Sequence, residues 1–271
     1  MNNKETNMAE KNITVIGSGN MGGALLRGWA KAAEKGAADL ALTATAHSTK
    51  RLDALRNEHP GITVTTDNVD AVKDADVIVL AVKPWLIADV VRQIQPAIAA
   101  AERQPIIISV AANITAADLA TLVAADVPCV YAMPNIAAEY GESMTFVEEC
   151  TGAEAACDLF RLVGEVRIVP TRLMAAGMMM AGSGIAYVMR FLRAMMEGGV
   201  EMGFYPTDAR DIAMQTMQGA VRLLRETNLH PEVAIDRVTT PGGITIRGLN
   251  ELDHSGFNSA VIRCLKAGLT K

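Results

Sequence analysis

Three glycines near the N-terminus have the spacing of a phosphate-binding turn. Gly17, Gly19 and Gly22 form a G-x-G-x-x-G pattern directly after the β-branched run 12–16 and directly before an amphipathic helical pattern. There the first glycine makes a tight turn, the second lets the backbone approach a pyrophosphate, and the third allows close packing of helix on strand. Unpaired N–H groups at the helix start then bind the phosphates. The stretch predicts a dinucleotide site; the alternative is an ordinary glycine-rich turn.

The residues after the second predicted strand, 40–46, indicate which dinucleotide the site prefers. A site for NAD places Asp or Glu there to bind the ribose hydroxyls. This chain instead has hydroxyl and basic side chains without a carboxylate, in the order His47, Ser48, Thr49, Lys50 and Arg51. Such donors suit a 2′-phosphate, so NADP(H) is the predicted cofactor and NAD(H) is the alternative. The structural interpretation of the same residues is a solvated helix start with Ser48 as its N-cap.

A second candidate site lies near the C-terminus, at Thr240-Pro241-Gly242-Gly243. Thr240 is a good N-cap and Pro241 suits the first helical position, while the two glycines leave their N–H groups sterically open. Such a helix start can bind a carboxylate. An ordinary helix cap explains the same residues equally well.

The first 170 residues alternate between strand-like and helical patterns. The predicted strands are 12–16, 40–46, 62–66, 76–82, 106–110 and 129–132, with 145–147 as a candidate seventh. The helices predicted between them after the first are 71–75, 85–94 and 115–123. This alternation is typical of α/β proteins and predicts a doubly wound parallel sheet, a Rossmann domain, over residues 12–170. Ligands bind such sheets beyond the carboxyl ends of the strands, where Lys83 and Pro84 follow the fourth strand.

Strand patterns end after residue 170, and residues 171–271 are predicted to form an all-α domain. The two longest helices are predicted at 176–203 and 206–227. The first is apolar around most of its circumference, which a monomer of this size cannot cover, so we expect it to be buried against a partner subunit. The uncharged stretch between Arg172 and Arg190 is interrupted by glycines and is barely long enough to span a bilayer, so a buried helix is preferred to a membrane span.

The bulk composition favours small-molecule chemistry. The 271 residues are 50% hydrophobic, which is ample for a core. The net charge of −5 argues against a nucleic-acid surface, and the lack of a polybasic run argues against a membrane surface. The four cysteines form no C-x-x-C pair and have no ligand-like spacing to the four histidines, so we expect no metal and reduced thiols in a cytoplasmic protein. Residues 1–11 lack the apolar core of a secretory signal and are predicted to be a flexible tail.

In its motifs and their order the chain resembles 1-pyrroline-5-carboxylate reductases, from Ile13 to Gly268. The shared motifs are Gly17-Ser18-Gly19-Asn20-Met21-Gly22, Ala81-Val82-Lys83-Pro84, Met133-Pro134-Asn135, Gly182-Ser183-Gly184 with Ala186-Tyr187, and Thr240-Pro241-Gly242-Gly243 with Thr245. The resemblance implies an NADP(H) domain followed by a helical dimerisation and substrate domain. It implies that the helices interlock in a homodimer whose partner completes the active site, with a higher assembly of dimers as an option.

The resemblance also implies a reaction, in which a hydride passes from the nicotinamide to the C=N carbon of 1-pyrroline-5-carboxylate and gives proline. The predicted cofactor-binding residues are Gly17, Ser18, Gly19, Asn20, Met21, Gly22, His47, Ser48, Lys50, Arg51, Asn68, Ala81, Val82, Lys83, Pro84 and Asn135. The predicted substrate-binding residues are Thr240, Gly242, Gly243 and Thr245. Thr245 matches a residue that hydrogen-bonds the substrate in the family, so it is the candidate catalytic or orienting hydroxyl.

Several positions depart from the family pattern. Ile185 and Ile244 replace a proline and a threonine, and Tyr131 stands where the family has an arginine; further changes are Met178-Met179-Met180-Ala181 and Ile136-Ala137. Two alternatives follow. A β-hydroxyacid dehydrogenase would need a catalytic lysine on the first long C-terminal helix, which has only arginines, and arginine does not release its proton. A diverged NADP(H)-binding paralogue without turnover is the other alternative.

Overall fold

The computed structural model describes residues 10–123 and 126–269. Most of the predicted tail, residues 1–9, lies outside the described residues, and Lys11 already belongs to the first strand. The chain forms two compact units that divide between Gly182 and Ser183. Each unit is described by itself.

The first unit is built around a sheet with eight strands in the described residues. They are β1 (Lys11–Ile16), β2 (Leu40–Thr45), β3 (Ile62–Thr65), β4 (Val77–Leu80), β5 (Ile106–Ser109), β6 (Cys129–Met133), β7 (Ser143–Glu148) and β8 (Gly164–Val169). Their order is β3-β2-β1-β4-β5-β6-β7-β8, and the first six are parallel. This confirms the predicted doubly wound sheet. β7 runs antiparallel to β6 and parallel to β8. β8 was not predicted, although Glu165 and Arg167 alternate with apolar residues in a strand-like pattern.

Helices connect the strands and make up the whole of the second unit's regular structure. In the first unit they are α1 (Asn20–Glu34), α2 (Thr49–Glu58), α3 (Asn68–Ala71), α4 (Ile87–Ala100), α5 (Ala116–Ala120), α6 (Ala153–Arg161) and α7 (Thr171–Gly177). In the second they are α8 (Gly184–Glu201), α9 (Pro206–Thr227), α10 (Pro231–Asp236), α11 (Ile244–His254) and α12 (Phe257–Ala267). Short 3-10 turns cover Pro84–Leu86 and Ile136–Tyr140. The helix predicted at 206–227 is confirmed at both ends.

Three predicted helices have wrong bounds, and local capping explains one of them. The helix predicted at 71–75 lies earlier, because the Asp67 carboxylate accepts the N–H groups of Val69 and Asp70 at 2.9 and 3.1 Å and starts α3 at Asn68. α5 begins after Thr115, whose side chain and that of Asp118 form a capping box, and it ends well before residue 123. α4 continues through Pro96 to Ala100 rather than ending at 94.

The sheet is covered on both faces, so its carboxyl edge is left for ligands. One face packs against α1, α2 and α6, where the rings of Trp29 and Phe160 lie 5.9 Å apart and the Trp29 indole N–H donates to the Leu159 carbonyl at 3.0 Å. The other face packs against α4 and α5 around Ile87, Val91 and Leu119. Burial of parallel strands on both faces accounts for the nearly continuous apolar sequence of β4.

The helix predicted as one element at 176–203 is two helices with a π-helical turn between them. α7 ends at Gly177, the π turn covers Met178–Gly182, and α8 follows. A Cβ at Gly177 would lie 2.7 Å from the Phe146 ring, so α7 packs directly on β7. Because of this packing the compact units divide after Gly182, later than the predicted domain boundary after residue 170. The assignment of functions to the two domains stays a prediction.

The second unit leaves much of its apolar surface exposed. α8 and α9 pack closely at Gly199, where a Cβ would lie 3.0 Å from the Ala209 Cβ. Yet the exposed fraction is 54% for Val188 and 77% for Met202. The continuous helical segment Thr171–Glu201 is long and apolar enough to cross a membrane by length and composition, and 22% of its apolar window is buried. The chain by itself does not provide the burial that we predicted for this helix.

The fit of α1 against the Ile136–Tyr140 turn should be sensitive to one methyl group. In Gly28→Ala the new Cβ would meet the Ala138 carbonyl and lie 2.8 Å from the Val163 Cγ1. We expect the free energy of unfolding to fall by about 1–3 kcal/mol, as for other overpacked sites, measured as the midpoint of urea unfolding followed by circular dichroism. Gly23→Ala is the matched control on α1, since its nearest neighbour is the mobile end of Arg27 at 3.1 Å. Equal losses in both variants would contradict this account.

Thiol reactivity should separate the buried cysteines from the exposed one. Burial raises the pKa of Cys129 and of Cys150 to about 11, so both remain protonated and unreactive at pH values near neutrality. Cys264 is exposed. We expect Ellman's reagent to modify a single thiol rapidly in the native chain and all four after unfolding. Cys264→Ser should abolish the rapid phase; a rapid phase that survives this substitution would contradict the prediction.

Candidate functional site

The turn between β1 and α1 has the geometry that the three glycines predict. Gly17 has φ +104°, and a Cβ there would lie 2.7 Å from the Ala81 carbonyl oxygen. A Cβ at Gly22 would meet the Gly17 carbonyl and lie 3.0 Å from the Ala81 Cβ, so helix and strand pack without room for a side chain. Nothing lies within 4 Å of the Cβ position of Gly19. The tight turn predicted at Gly17 and the close packing of helix on strand predicted at Gly22 are confirmed, and the approach of a pyrophosphate at Gly19 stays a prediction.

The start of α1 has free hydrogen-bond donors. Gly19 is the N-cap residue and no side chain caps the helix. The first turn also has no acidic side chain, so nothing there repels an anion. Open space at Gly19, uncapped N–H groups and the helix dipole together fit a pyrophosphate. Binding of the predicted residues Asn20 and Met21 to a cofactor stays a prediction.

A chain of side-chain hydrogen bonds connects the loops that follow β1, β2 and β3. The Ser18 hydroxyl donates to the Thr45 carbonyl at 2.9 Å, and the Thr45 hydroxyl donates to Asn68 Oδ1 at 2.6 Å. Asn68 Nδ2 in turn donates to Gln93 Oε1 on α4 at 2.9 Å. Ser18 and Asn68 are among the predicted cofactor-binding residues, and their side chains hold these loops together. Thr45 and Gln93 were not predicted to take part, because their residue types carry no signal of this role.

The residues that follow β2 present a free cluster of donors. His47, Ser48, Lys50 and Arg51 are exposed. Ser48 is the N-cap residue of α2, but its hydroxyl makes no capping hydrogen bond, and the first turn holds no acidic residue. In the described part of the chain, neither Lys50 nor Arg51 takes part in an ion pair. These donors therefore fit an anionic group such as a 2′-phosphate better than a ribose diol.

The loop after β4 lies directly beside the glycine turn. The Ala81 N–H donates to the Ile16 carbonyl at 2.8 Å, which fixes the end of β4 next to the end of β1. Pro84 opens the 3-10 turn, and exposed Lys83 is its N-cap residue. Pro84 therefore starts a helical turn, and contact of the exposed Lys83 with a cofactor stays a prediction.

Asn135 is engaged within the protein. It is 8% exposed, its Oδ1 accepts the Ala137 N–H at 3.0 Å, and its Nδ2 donates to the Ala181 carbonyl at 3.3 Å. Its backbone N–H donates to the Ser143 hydroxyl at 3.0 Å. The side chain predicted to bind the cofactor thus holds the Ile136–Tyr140 turn and the π turn in place.

Two buried side chains, Tyr131 and Glu148, hold the segment between β5 and α5 in position. The Tyr131 hydroxyl accepts the N–H of Asn113, which has φ +61°, at 3.0 Å. Burial raises the pKa of Tyr131, so its hydroxyl stays neutral. The Glu148 carboxylate accepts the Ala116 N–H and the Thr171 hydroxyl, each at 2.6 Å. Tyr131, where the resemblance leads us to expect arginine, therefore acts as a neutral support for this loop.

The candidate carboxylate site in the second unit differs from its prediction in two respects, of which one is that Pro241 lies in a turn before α11 and is not its first residue. Thr240 is not the N-cap residue of α11: the Gly243 N–H donates to the Thr240 carbonyl at 2.9 Å, and Gly242, with φ +69°, is the third residue of this turn. Proline followed by a glycine of positive φ is typical of a type II turn. Gly243 is the N-cap residue instead, and no side chain caps the helix.

The start of α11 is open to a ligand. Thr240, Gly242 and Thr245 are exposed, and Ile244 is 81% exposed. Because the Gly243 N–H is used within the turn, the free donors are the N–H groups of Ile244 and Thr245. Among the described residues, no cluster of three or more His, Cys, Asp or Glu side chains could hold a metal ion.

Comparison with known proteins matches two segments of the chain to family models. The model described as pyrroline-5-carboxylate reductase dimerisation matches residues 171–271. The model described as NADP oxidoreductase, coenzyme F420-dependent, matches residues 12–113.

Individual relatives cover nearly the whole chain. The pyrroline-5-carboxylate reductase of Methanosarcina acetivorans is 33% identical over 94% of this chain and 96% of its own length. Reductase 1 of Dictyostelium discoideum is 34% identical over 94% of this chain, which spans about half (48%) of that protein. The solved structure of the Coxiella burnetii pyrroline-5-carboxylate reductase is 27% identical, covers 95% of this chain and 96% of its own, and superposes with a TM-score of 0.82.

Removing the two basic side chains after β2 should affect one dinucleotide more than the other. We expect the double variant Lys50→Ala, Arg51→Ala to raise the KM for NADPH about tenfold or more, because charge-assisted hydrogen bonds to a phosphate contribute about 1.5–3 kcal/mol. The KM for NADH should change little. Arg56→Ala is the control on the same helix, since Arg56 pairs with Asp53 at 2.8 Å. Equal effects on both dinucleotides would refute the phosphate assignment.

Proposed function

Because the chain belongs to the pyrroline-5-carboxylate reductase family, we propose that it reduces 1-pyrroline-5-carboxylate to L-proline with NADPH, a step of proline biosynthesis. The observation that carries this proposal is the 33% identity to the Methanosarcina reductase over nearly the full length of both chains. The open glycine turn and the free donors after β2 support it independently, since they fit a phosphorylated dinucleotide.

NADPH, when bound, supplies the hydride. The uncapped N–H groups at the start of α1 would receive its pyrophosphate, and Ser48, Lys50 and Arg51 would receive its 2′-phosphate. Lys83 and the loop after β4 would line the next part of the site. Two other predicted residues would act through the protein, since Ser18 and Asn68 hold the loops after β1, β2 and β3 by the hydrogen bonds described above. Asn135 holds the Ile136–Tyr140 turn and the π turn instead.

The start of α11 would bind the substrate carboxylate. The N–H groups of Ile244 and Thr245 are free, point along the helix dipole, and lie next to the Thr245 hydroxyl. Gly243 has no side chain because a Cβ there would meet Thr240 Oγ1. The two N–H groups would orient the imino acid by its carboxylate, and the hydroxyl of Thr245 would hydrogen-bond the substrate.

The reaction needs little acid or base catalysis from the protein. The protonated imine is already electrophilic, so hydride addition to its carbon leaves the proton on nitrogen and gives the secondary amine of proline. The contribution of the chain is then to hold two ligands in register. This agrees with a candidate site rich in backbone donors and hydroxyls.

We further propose that the enzyme is a homodimer with interlocked C-terminal helices, acting in the cytoplasm. The match of residues 171–271 to a dimerisation model supports an oligomer. The exposed apolar side chains of α8, which the single chain does not cover, support the same arrangement.

The direct test is an absorbance assay of NADPH oxidation by the full chain with added 1-pyrroline-5-carboxylate. Rapid, substrate-dependent oxidation with formation of proline is the expected result. Tight NADPH binding without turnover would favour the diverged paralogue instead. Oxidation of a hydroxy acid with NADP⁺, in the absence of imine reduction, would favour a dehydrogenase.

Substitution of Thr245 should separate substrate orientation from cofactor binding. We expect Thr245→Ala to lower kcat/KM for the imine about tenfold or more, because a hydrogen bond to a charged group contributes about 1.5–3 kcal/mol. The Kd for NADPH should stay the same. Thr245→Ser keeps the hydroxyl and should retain most of the activity. Gly248→Ala, at an open position of the same helix, is the control for changes in α11. Unaltered turnover in Thr245→Ala would place the substrate elsewhere.

A further inference from the structure

Trp85 is an exposed aromatic side chain in a unit whose other tryptophan is fully buried. Its exposed fraction is 73%, whereas Trp29 is 0% exposed and hydrogen-bonded. Tyr140, equally exposed, has the Lys31 ammonium 4.9 Å from its ring centroid. Within residues 10–123 and 126–269, Trp85 has neither an aromatic nor a cationic partner. An indole left open in this way is available to a ligand.

The backbone that carries Trp85 is rigid. Trp85 is the middle residue of the Pro84–Leu86 turn, and the Leu86 N–H donates to the Lys83 carbonyl at 2.9 Å. Pro84 restricts its own φ at the start of the turn. Directly after the turn, Ile87 is 1% exposed and anchors α4 in the core. The indole is therefore held on a fixed support.

This support lies at the edge of the sheet where the candidate cofactor site is. Trp85 follows β4, the strand that pairs with β1. At the start of the intervening loop, the Ala81 carbonyl oxygen lies 2.7 Å from the Cβ position of Gly17. The loop that ends in Trp85 thus begins in contact with the turn that would receive the pyrophosphate.

Hydrogen bonds connect α4 to the adenosine side of that site. Gln93 on α4 accepts from Asn68, and Asn68 accepts from Thr45 at the end of β2. Ser48, Lys50 and Arg51, the free donors suited to the 2′-phosphate of the adenosine ribose, follow directly after β2. The helix that Trp85 precedes is therefore tied to the half of the site that would hold the adenosine.

We propose that the Trp85 indole stacks on the adenine ring of the bound dinucleotide. This inference rests on the proposed function, because it requires NADP(H) in the β1–α1 site. A flat, exposed indole on a rigid turn offers a surface for an aromatic base, and stacking of this kind does not depend on the 2′-phosphate. Trp85 would be a cofactor-binding residue that strengthens binding of NADPH and NADH alike.

Calorimetric titration of the full chain tests this role. Trp85→Ala should raise the Kd of NADPH and of NADH by the same factor, about tenfold from the loss of one stacked base. Trp85→Phe, which keeps a ring, should restore most of the affinity. The double variant of Lys50 and Arg51 should weaken NADPH alone, so the two effects are separable. An unchanged Kd in Trp85→Ala, or a loss restricted to NADPH, would overturn the proposal.

Fluorescence then identifies the ring that is covered. We expect 2′,5′-ADP, which lacks nicotinamide, to quench the tryptophan emission of the wild-type chain and to protect it from acrylamide. Trp85→Phe, which retains only Trp29, should show neither effect. Bound 2′,5′-ADP that leaves the emission and the acrylamide accessibility of Trp85 unchanged would overturn the adenine assignment. Normal binding and turnover with an unresponsive Trp85 would overturn the stacking alone, whereas absence of NADPH binding would overturn the proposed function as well.

Discussion

The close approach of the β1–α1 turn to the end of β4 is the contact on which the candidate cofactor site depends. Gly17 and Gly22 leave no room for a Cβ, since the Ala81 backbone and the Gly17 carbonyl occupy that space. The helix start can therefore lie against the sheet with its N–H groups uncovered, while Gly19 faces open space. Ala81 also begins the loop that leads to Lys83 and Trp85. This packing contact therefore fixes the start of that loop beside the β1–α1 turn.

Much of the polar chemistry around the site supports backbone rather than meeting a ligand. Ser18 and Asn68 bond to Thr45 at the end of β2, and Asn135 bonds to Ala137 and Ala181. The groups left for a ligand are therefore backbone N–H groups and exposed side chains such as Lys50 and Arg51. Loops braced by internal hydrogen bonds need not reorganise when a ligand binds, which lowers the cost of positioning it. This suits a reductase of the pyrroline-5-carboxylate family, where catalysis consists mainly in holding two ligands in register.

The second unit presents a different balance of forces. Its helices pack through small residues such as Gly199 and Ala209, yet large apolar side chains including Met202 stay exposed in the single chain. Apolar surface of this extent marks an interface, in agreement with the match to a dimerisation model. Ile244, 81% exposed beside the free N–H groups of α11, places one departure from the family pattern at the candidate carboxylate site.

The sequence by itself determined the parallel arrangement of β1 to β6, the tight turn at Gly17, the close packing at Gly22 and the helix Pro206–Thr227, because periodicity, glycine spacing and β-branched runs are local signals. Only the tertiary structure decided which polar side chains remain free. Asn68 and Asn135 find partners distant in the chain, the end of α7 is set by packing on Phe146, and the Thr240 turn closes before α11 starts. Such outcomes depend on what the fold brings next to each residue, and neither residue type nor spacing contains that information.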